Sequence, residues 1–267
     1  MRILAMLTSP LTAGSVLAAT SCLAARCGPV EINLLYPRPE VDPDFMPTED
    51  VYTAAQRQKF EASQDRLVQQ LSQVAAIWAG AGLPGLRQAR GRLSTIVNEA
   101  SRTADFVILG APHQDFEANI ILDTVLFQAN RPVLLVPRNM PRNFGQHIAV
   151  AWQTECIAAE RAAESLNGLL LGAERTTILI GDRGDSSSLP SAALLRQLSE
   201  AGKPTAIRHF SLAGRHIGEA LLNETQEIGA DLLVMGAYGH SRLREWIFGG
   251  ATIEILRDFE LPVLIHH

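Results

Sequence analysis

Two pairs of segments in this chain match each other closely in residue character. Ala104-Asp-Phe-Val-Ile-Leu-Gly-Ala111 returns as Ala230-Asp-Leu-Leu-Val-Met-Gly-Ala237, and Arg131-Pro-Val-Leu-Leu135 returns as Leu261-Pro-Val-Leu-Ile265. Such self-similarity means that one supersecondary unit is used twice, which limits the fold more tightly than any bulk property. Each copy closes in the same way. A buried apolar run ends at a glycine, a helical stretch follows, and a second apolar run opens with proline, which a strand tolerates at its first residue. A length of 267 residues fits one large domain or two small ones, and the repeat favours two.

Between these landmarks, apolar runs alternate with helical patterns. In the second copy the runs are His147 to Trp152, Thr176 to Ile180 and Thr205 to Phe210. Helices are expected over Ile157 to Leu171, over Ser191 to Leu198, and where Ile217, Leu221 and Ile228 share one face. The first copy offers Ile3 to Leu7, Val30 to Tyr36, a weak strand around Leu86 to Ala89, Asp105 to Leu109 and Val133 to Val136, with a long helix over Ala55 to Ala79. Continuous apolar strands joined by helices imply a parallel sheet covered on both faces. The expected fold is α/β: two tandem doubly wound five-stranded parallel sheets, domains 1–142 and 143–267, parted near Asn139 to Gly145. The stretch Pro37 to Asp50, with four prolines among five acidic residues, reads as a surface loop or lid.

Composition narrows the function. An apolar fraction of 47% supports a sizeable core, and a net charge of -5 gives no electrostatic footprint for nucleic acid. The first residues imitate a secretory signal, but Thr8, Ser9, Pro10, Thr12 and Gly14 break the apolar run, and no stretch approaches a membrane span. Cys22, Cys27 and Cys156 have no metal-ligand spacing and suit a reducing cytoplasm; the first two read as small packed residues in a helix. The histidines, His147 and His209 among them, read as dispersed surface residues. Arg183-Gly-Asp185 reads as a turn, and Ser186 to Ser188 as loop residues open to phosphorylation. The P-loop, G-x-G-x-x-G and H-E-x-x-H signatures are absent, and no convergent acid, base and nucleophile is visible, so neither a catalytic nor a metal site is assigned.

One segment stands out chemically. The apolar run of the second copy leads into Gly236-Ala-Tyr-Gly239-His-Ser-Arg-Leu-Arg-Glu-Trp-Ile-Phe-Gly249-Gly250-Ala-Thr252. In open parallel sheets ligands bind beyond the carboxyl ends of the strands, where the strand order reverses. Glycines there admit close approach to backbone N–H groups, and a helix opening at Gly249, Gly250 and Ala251 would offer phosphate unpaired donors. Arg242, with His240 and Arg244, could neutralise phosphate charge. The same glycines would equally permit a tight turn or close packing of helix on sheet.

This segment, continuing to Pro262-Val-Leu-Ile265, resembles the C-terminal signature of the universal stress protein family: glycine, two residues, glycine, nine residues, glycine, then serine or threonine. The strand-helix order and the duplication resemble the tandem members of that family. The resemblance implies a Rossmann-like, adenine-nucleotide-hydrolase-like fold, a cytoplasmic stress-response protein, and in some members bound ATP or ADP, with magnesium as a companion. Gly236, Gly239 and Gly249 match the signature. Gly250 stands at the hydroxyl position, and Gln153, in Ala151-Trp-Gln-Thr154, stands where nucleotide-binding members carry an acidic residue. In the first copy Gly110-Ala-Pro-His113 lacks the second glycine, and Thr8 lies near the acidic position. The expectation is therefore an adenine-nucleotide-binding protein with at most weak ATP hydrolysis, its site in the second copy. The alternative is an interaction or dimerisation module that has lost the site in both copies. The resemblance further implies an intramolecular pseudo-dimer joined near the last strand of each copy, and allows a homodimer.

Overall fold

The computed structural model describes residues 1–40, 53–80, 82–112, 116–141, 143–153, 157–165, 167–170, 172–182, 189–212, 214–237, 255 and 259–267. Its elements run in chain order β1 (Arg2–Met6), α1 (Pro10–Arg26), β2 (Glu31–Pro39), α2 (Ala54–Ala79), β3 (Arg87–Gly91), α3 (Leu93–Arg102), β4 (Phe106–Gly110), α4 (Phe116–Asp123), a π-helical turn (Thr124–Gln128), β5 (Val133–Val136), β6 (His147–Trp152), α5 (Ile157–Glu164), α6 (Asn167–Leu170), β7 (Arg175–Asp182), α7 (Ala192–Glu200), β8 (Thr205–Ser211), α8 (Ile217–Glu227), β9 (Leu232–Gly236) and β10 (Val263–His266). The strands form one ten-stranded sheet in the order β3-β2-β1-β4-β5-β10-β9-β6-β7-β8. Read outward from the centre, both halves follow the same permutation. All pairings are parallel except the central one, where β5 and β10 run antiparallel with Leu264 opposite Leu134.

The apolar runs predict this sheet because it is covered on both faces. One face packs under α1, α2, α5, α6 and α7, the other under α3, α4, the π-helical turn and α8. The central strands serve both layers: Leu134 and Leu264 belong to one apolar cluster, Val133, Leu135, Val263 and Ile265 to the other. Arg26, at the end of α1, crosses to the second half and donates to the carbonyls of Phe144 and Gly172.

Three local expectations need correction. The strand expected to stop at Tyr36 continues to Pro39, so Pro37 and Pro39 lie within β2 instead of opening a loop. Leu35 turns its backbone toward β1, where its carbonyl accepts from Leu7 N–H. Pro37 and Pro39 face the same side, but beyond the end of β1, so their missing N–H groups cost no ladder bond. The remainder of that proposed lid, residues 41–50, lies outside the described residues. The single helix expected over Ile157 to Leu171 is interrupted after Glu164, where the Ser165 hydroxyl bonds back to the Arg161 carbonyl at 2.8 Å. His147 is buried, only 6% exposed, because it opens a strand in the middle of its half. Cys22 and Cys27 are half-buried against the core, and burial pushes the Cys27 thiol above its ordinary pKa.

Candidate functional site: the carboxyl-end crevices of the two halves

Sequence order reverses between β1 and β4 in the first half and between β6 and β9 in the second, which places one crevice in each half at the carboxyl ends of the strands. The frame around each is built from equivalent residues making closely similar hydrogen bonds. Asp105 accepts the N–H of Arg2 at 2.9 Å, and Asp231 accepts those of Gln146 and His147 at 3.1 and 3.0 Å. Val107 N–H donates to the Pro132 carbonyl and Leu233 N–H to that of Pro262, both at 3.0 Å. Ala111 N–H meets Val136 at 2.9 Å and Ala237 N–H meets His266 at 2.8 Å. The repeated Asp, Pro and Gly-Ala positions thus lock each first strand, fourth strand and last strand together.

The repeated glycines complete that frame. A Cβ on Gly110 would lie 2.4 Å from Thr12 Cβ, and one on Gly236 would lie 2.4 Å from the Ala159 backbone nitrogen. Both glycines therefore let the helix after the first strand sit directly on the end of the fourth strand. At Gly236 the space that its missing side chain leaves is filled by α5.

Above this frame the crevices differ. In the first half the β1–β4 ladder is paired to the end of β1, at Met6 opposite Leu109. The start of α1 is closed by its own chain, since Ser9 Oγ accepts from Leu11 N–H and the Ser9 carbonyl from Thr12 and Ala13. The cation at the carboxyl end of β2, Arg38, has a side chain only 3% exposed and turned into α2, where it pairs with Glu61 and, at 2.7 Å, with Asp65. Beside it, Tyr36 donates to Gln64, and burial pushes the Tyr36 phenol up to about 12. Arg38 and Tyr36 were not singled out from sequence: an arginine between two prolines carries no signal of burial.

In the second half the β6–β9 pairing stops at Val150 opposite Val234, before the strands end at Trp152 and Gly236. This ladder is one pair shorter than its counterpart in the first half. Half-buried Gln153 follows one strand and buried Ala237 the other. The Trp152 indole N–H donates to the Leu189 carbonyl at 3.1 Å and closes one side. Of the residues assigned to the site from sequence, Gly236 ends β9 and Gln153 follows β6, while Gly239, Arg242, Gly249, Gly250 and Ala251 lie outside the described residues, as do His113, Thr154 and the segment Arg183 to Ser188.

At the base of the second half, His147 Nε2 lies 2.8 Å from Thr177 Oγ1. Burial, and then the Arg175 guanidinium, hold the imidazole below its ordinary pKa. At the centre of the sheet, His266 Nδ1 lies 3.0 Å from Ser165 Oγ, and burial again lowers its pKa. Among the described residues no three His, Cys, Asp or Glu side chains are grouped to hold a metal, and no helix is long and apolar enough to cross a membrane.

Comparison with known proteins bears on both halves. The model of the universal stress protein family matches residues 156–267. A universal stress protein of Synechocystis sp. strain PCC 6803 is 43% identical over 49 residues, a match that spans 18% of this chain and only 17% of the relative's length. The crystal structure of a universal stress protein from Archaeoglobus fulgidus DSM 4304 is similar at a TM-score of 0.70 and 16% identity, covering 98% of this chain and 95% of that one. A protein of Pseudomonas aeruginosa UCBPP-PA14 given the same family name is similar at 0.56 and 14% identity, over 99% and 92% of the two chains. At these identities the structural likeness carries the fold, and it extends over both halves. Residues 156–267 thus match the universal stress protein family, and the chain as a whole shares the fold of the solved structures it resembles.

Proposed function

We propose that the second half binds an adenine nucleotide, ATP or ADP, as a signal, without strong catalysis. The observation that carries this reading is the early stop of the β6–β9 ladder at Val150 and Val234, in the half whose chain continues into the glycine-spaced segment. Gln153, at the mouth, has an amide that can donate and accept hydrogen bonds to a base or ribose without adding charge. Gly239, Gly249, Gly250 and Ala251 would present backbone N–H groups to phosphate, with Arg242 as counter-charge. Gly236 fits a different role, because α5 occupies the space a phosphate would need beside it. The oxygen ligands of a magnesium ion would come mainly from the nucleotide's own phosphates.

In the first half the ladder is paired to the end of β1 and the buried Arg38 is committed to two carboxylates, which favours a structural role for it. The rival reading, an interaction module without nucleotide, draws on the absence of a carboxylate at Gln153 and of a hydroxyl at Gly250. The cysteine usage and the family resemblance favour a cytoplasmic protein. Calorimetric titration with ATP and ADP, with and without magnesium, separates the two. Binding in the micromolar range that is lost in Gly239→Val supports the nucleotide site; no heat at about 1 mM ligand, near -4 kcal/mol, leaves the interaction module.

A further inference from the structure

Among the described residues the ten-stranded sheet ends in two edges, β3 and β8, and they are built differently. On β3, the Gly91 carbonyl accepts Glu40 N–H, so Arg87, Ala89 and Gly91 face β2 and only Gln88 and Arg90 turn backbone groups outward. That edge is short and carries exposed Arg87, Gln88 and Arg90, charges of the kind that discourage strand pairing. On β8, the Pro204 carbonyl accepts Thr176 N–H, so Ala206, Arg208 and Phe210 face β7, and Thr205, Ile207 and His209 turn theirs outward. All three are exposed, and among the described residues nothing meets these outward groups.

This edge carries exposed Thr205, Ile207 and His209, and its arginine is already neutralised. Ile207 is 45% exposed, on the same sheet face as Ile178 beneath α7, and Leu195 of α7 is 41% exposed. Arg208, the cation of the strand, is bound by Glu224 at 2.7 Å and by Glu227 at 2.5 Å from its own chain. The segment is also self-complementary. Turned antiparallel on a copy of itself with Ile207 opposite Ile207, it sets Thr205 opposite His209 and Ala206 opposite Arg208. No two cations face each other, and each outward-facing pair exchanges two backbone hydrogen bonds. The chain already closes one antiparallel seam between equivalent strands in this manner, with apolar Leu134 opposite Leu264.

We propose that the β8 edge is a self-association surface, on which β8 pairs antiparallel with β8 of a second copy about a two-fold axis at Ile207. The contact is isologous, so it closes at two copies and leaves β3 as the edge of each. It does not depend on nucleotide.

The test is the mass of the full chain by sedimentation or light scattering across a concentration series, with Ile207→Lys and Ile207→Pro beside it. Proline at 207 removes an outward N–H and spares the ladder to β7. The exposed lysine variant keeps the test decisive should proline disturb the strand. The expected result is twice the 29.0 kDa of one chain, shifting to one chain in both variants, with a dissociation constant raised at least tenfold and the circular dichroism spectrum of Ile207→Lys unchanged. An Arg90→Gln control on β3 leaves the dimer intact. A single-chain mass at every concentration overturns the proposal, and so does a dimer that survives both substitutions at Ile207.

Discussion

The two halves share a frame and differ in what stands on it. In both, an aspartate holds the first strand, a proline carbonyl ties the fourth strand to the last, and a glycine seats the following helix. These positions answer to backbone geometry, which is the same in each copy. The crevice above is under no such constraint. In the first half it is paired to the end of β1 and its helix start is self-capped; in the second the ladder stops one pair earlier, ahead of Gln153. A repeat written in the frame therefore reports fold, and function is to be sought where the copies disagree.

The largest effect should come from the glycines, and it should be unequal. Alanine at Gly236 meets α5 backbone, whereas alanine at Gly110 meets the Thr12 side chain. Overpacking of this kind typically costs about 1–3 kcal/mol, and we expect Gly236→Ala at or above the upper end and Gly110→Ala below it. Restoring space with Thr12→Ala should recover part of the loss in the first half only. Urea unfolding of the three variants measures this, and equal losses at the two glycines would break the comparison.

Next in size are the aspartates. Asp231→Ala leaves two strand N–H groups without their acceptor, a loss of about 1–3 kcal/mol, while the more exposed Asp105→Ala should cost less because water replaces the carboxylate. Thermal melts of both variants rank them.

A pH effect should belong to the second half. His147 and His266 stand where the first half has Arg2 and Val136, and both are held below the ordinary imidazole pKa of 6.5, chiefly by burial. Below that pH the unfolded chain binds protons that the folded chain resists, so stability is intact above 6.5 and falls as the pH drops beneath it. Denaturation midpoints at pH 8 and 5.5 should differ, and His147→Gln with His266→Gln should narrow the gap.

The smallest effect is expected in the first half's ion pairs. Asp65 is 67% exposed, and Glu61 still neutralises Arg38 in its absence, so Asp65→Asn should cost under about 1 kcal/mol by urea titration. A larger loss would mean that the Arg38 cluster governs the first half more than its geometry implies.

The repeat made most of the fold legible, because strands buried on both faces leave continuous apolar runs such as Phe106 to Leu109 and Leu232 to Met235. What it hid were matters of neighbourhood. Pro37 and Pro39 read as loop until the end of β1 is known, since only then do their missing donors face an empty side. His147 reads as surface until its strand is known to be central. Gly236 is visibly special in sequence, but a glycine for helix packing and a glycine for phosphate look alike. The structure attaches Gly236 to α5, which leaves Gln153 as the described site residue on which the nucleotide reading bears.

Hydrogen exchange of the full chain, with and without ATP, tests the central claim most directly, because it reads both crevices in one experiment. The account expects ATP to protect the peptides that carry Gln153 and Gly236 to Thr252, and to leave those around Thr8 and Gly110 to Pro112 unchanged. Protection in the first half, or in neither, would contradict it.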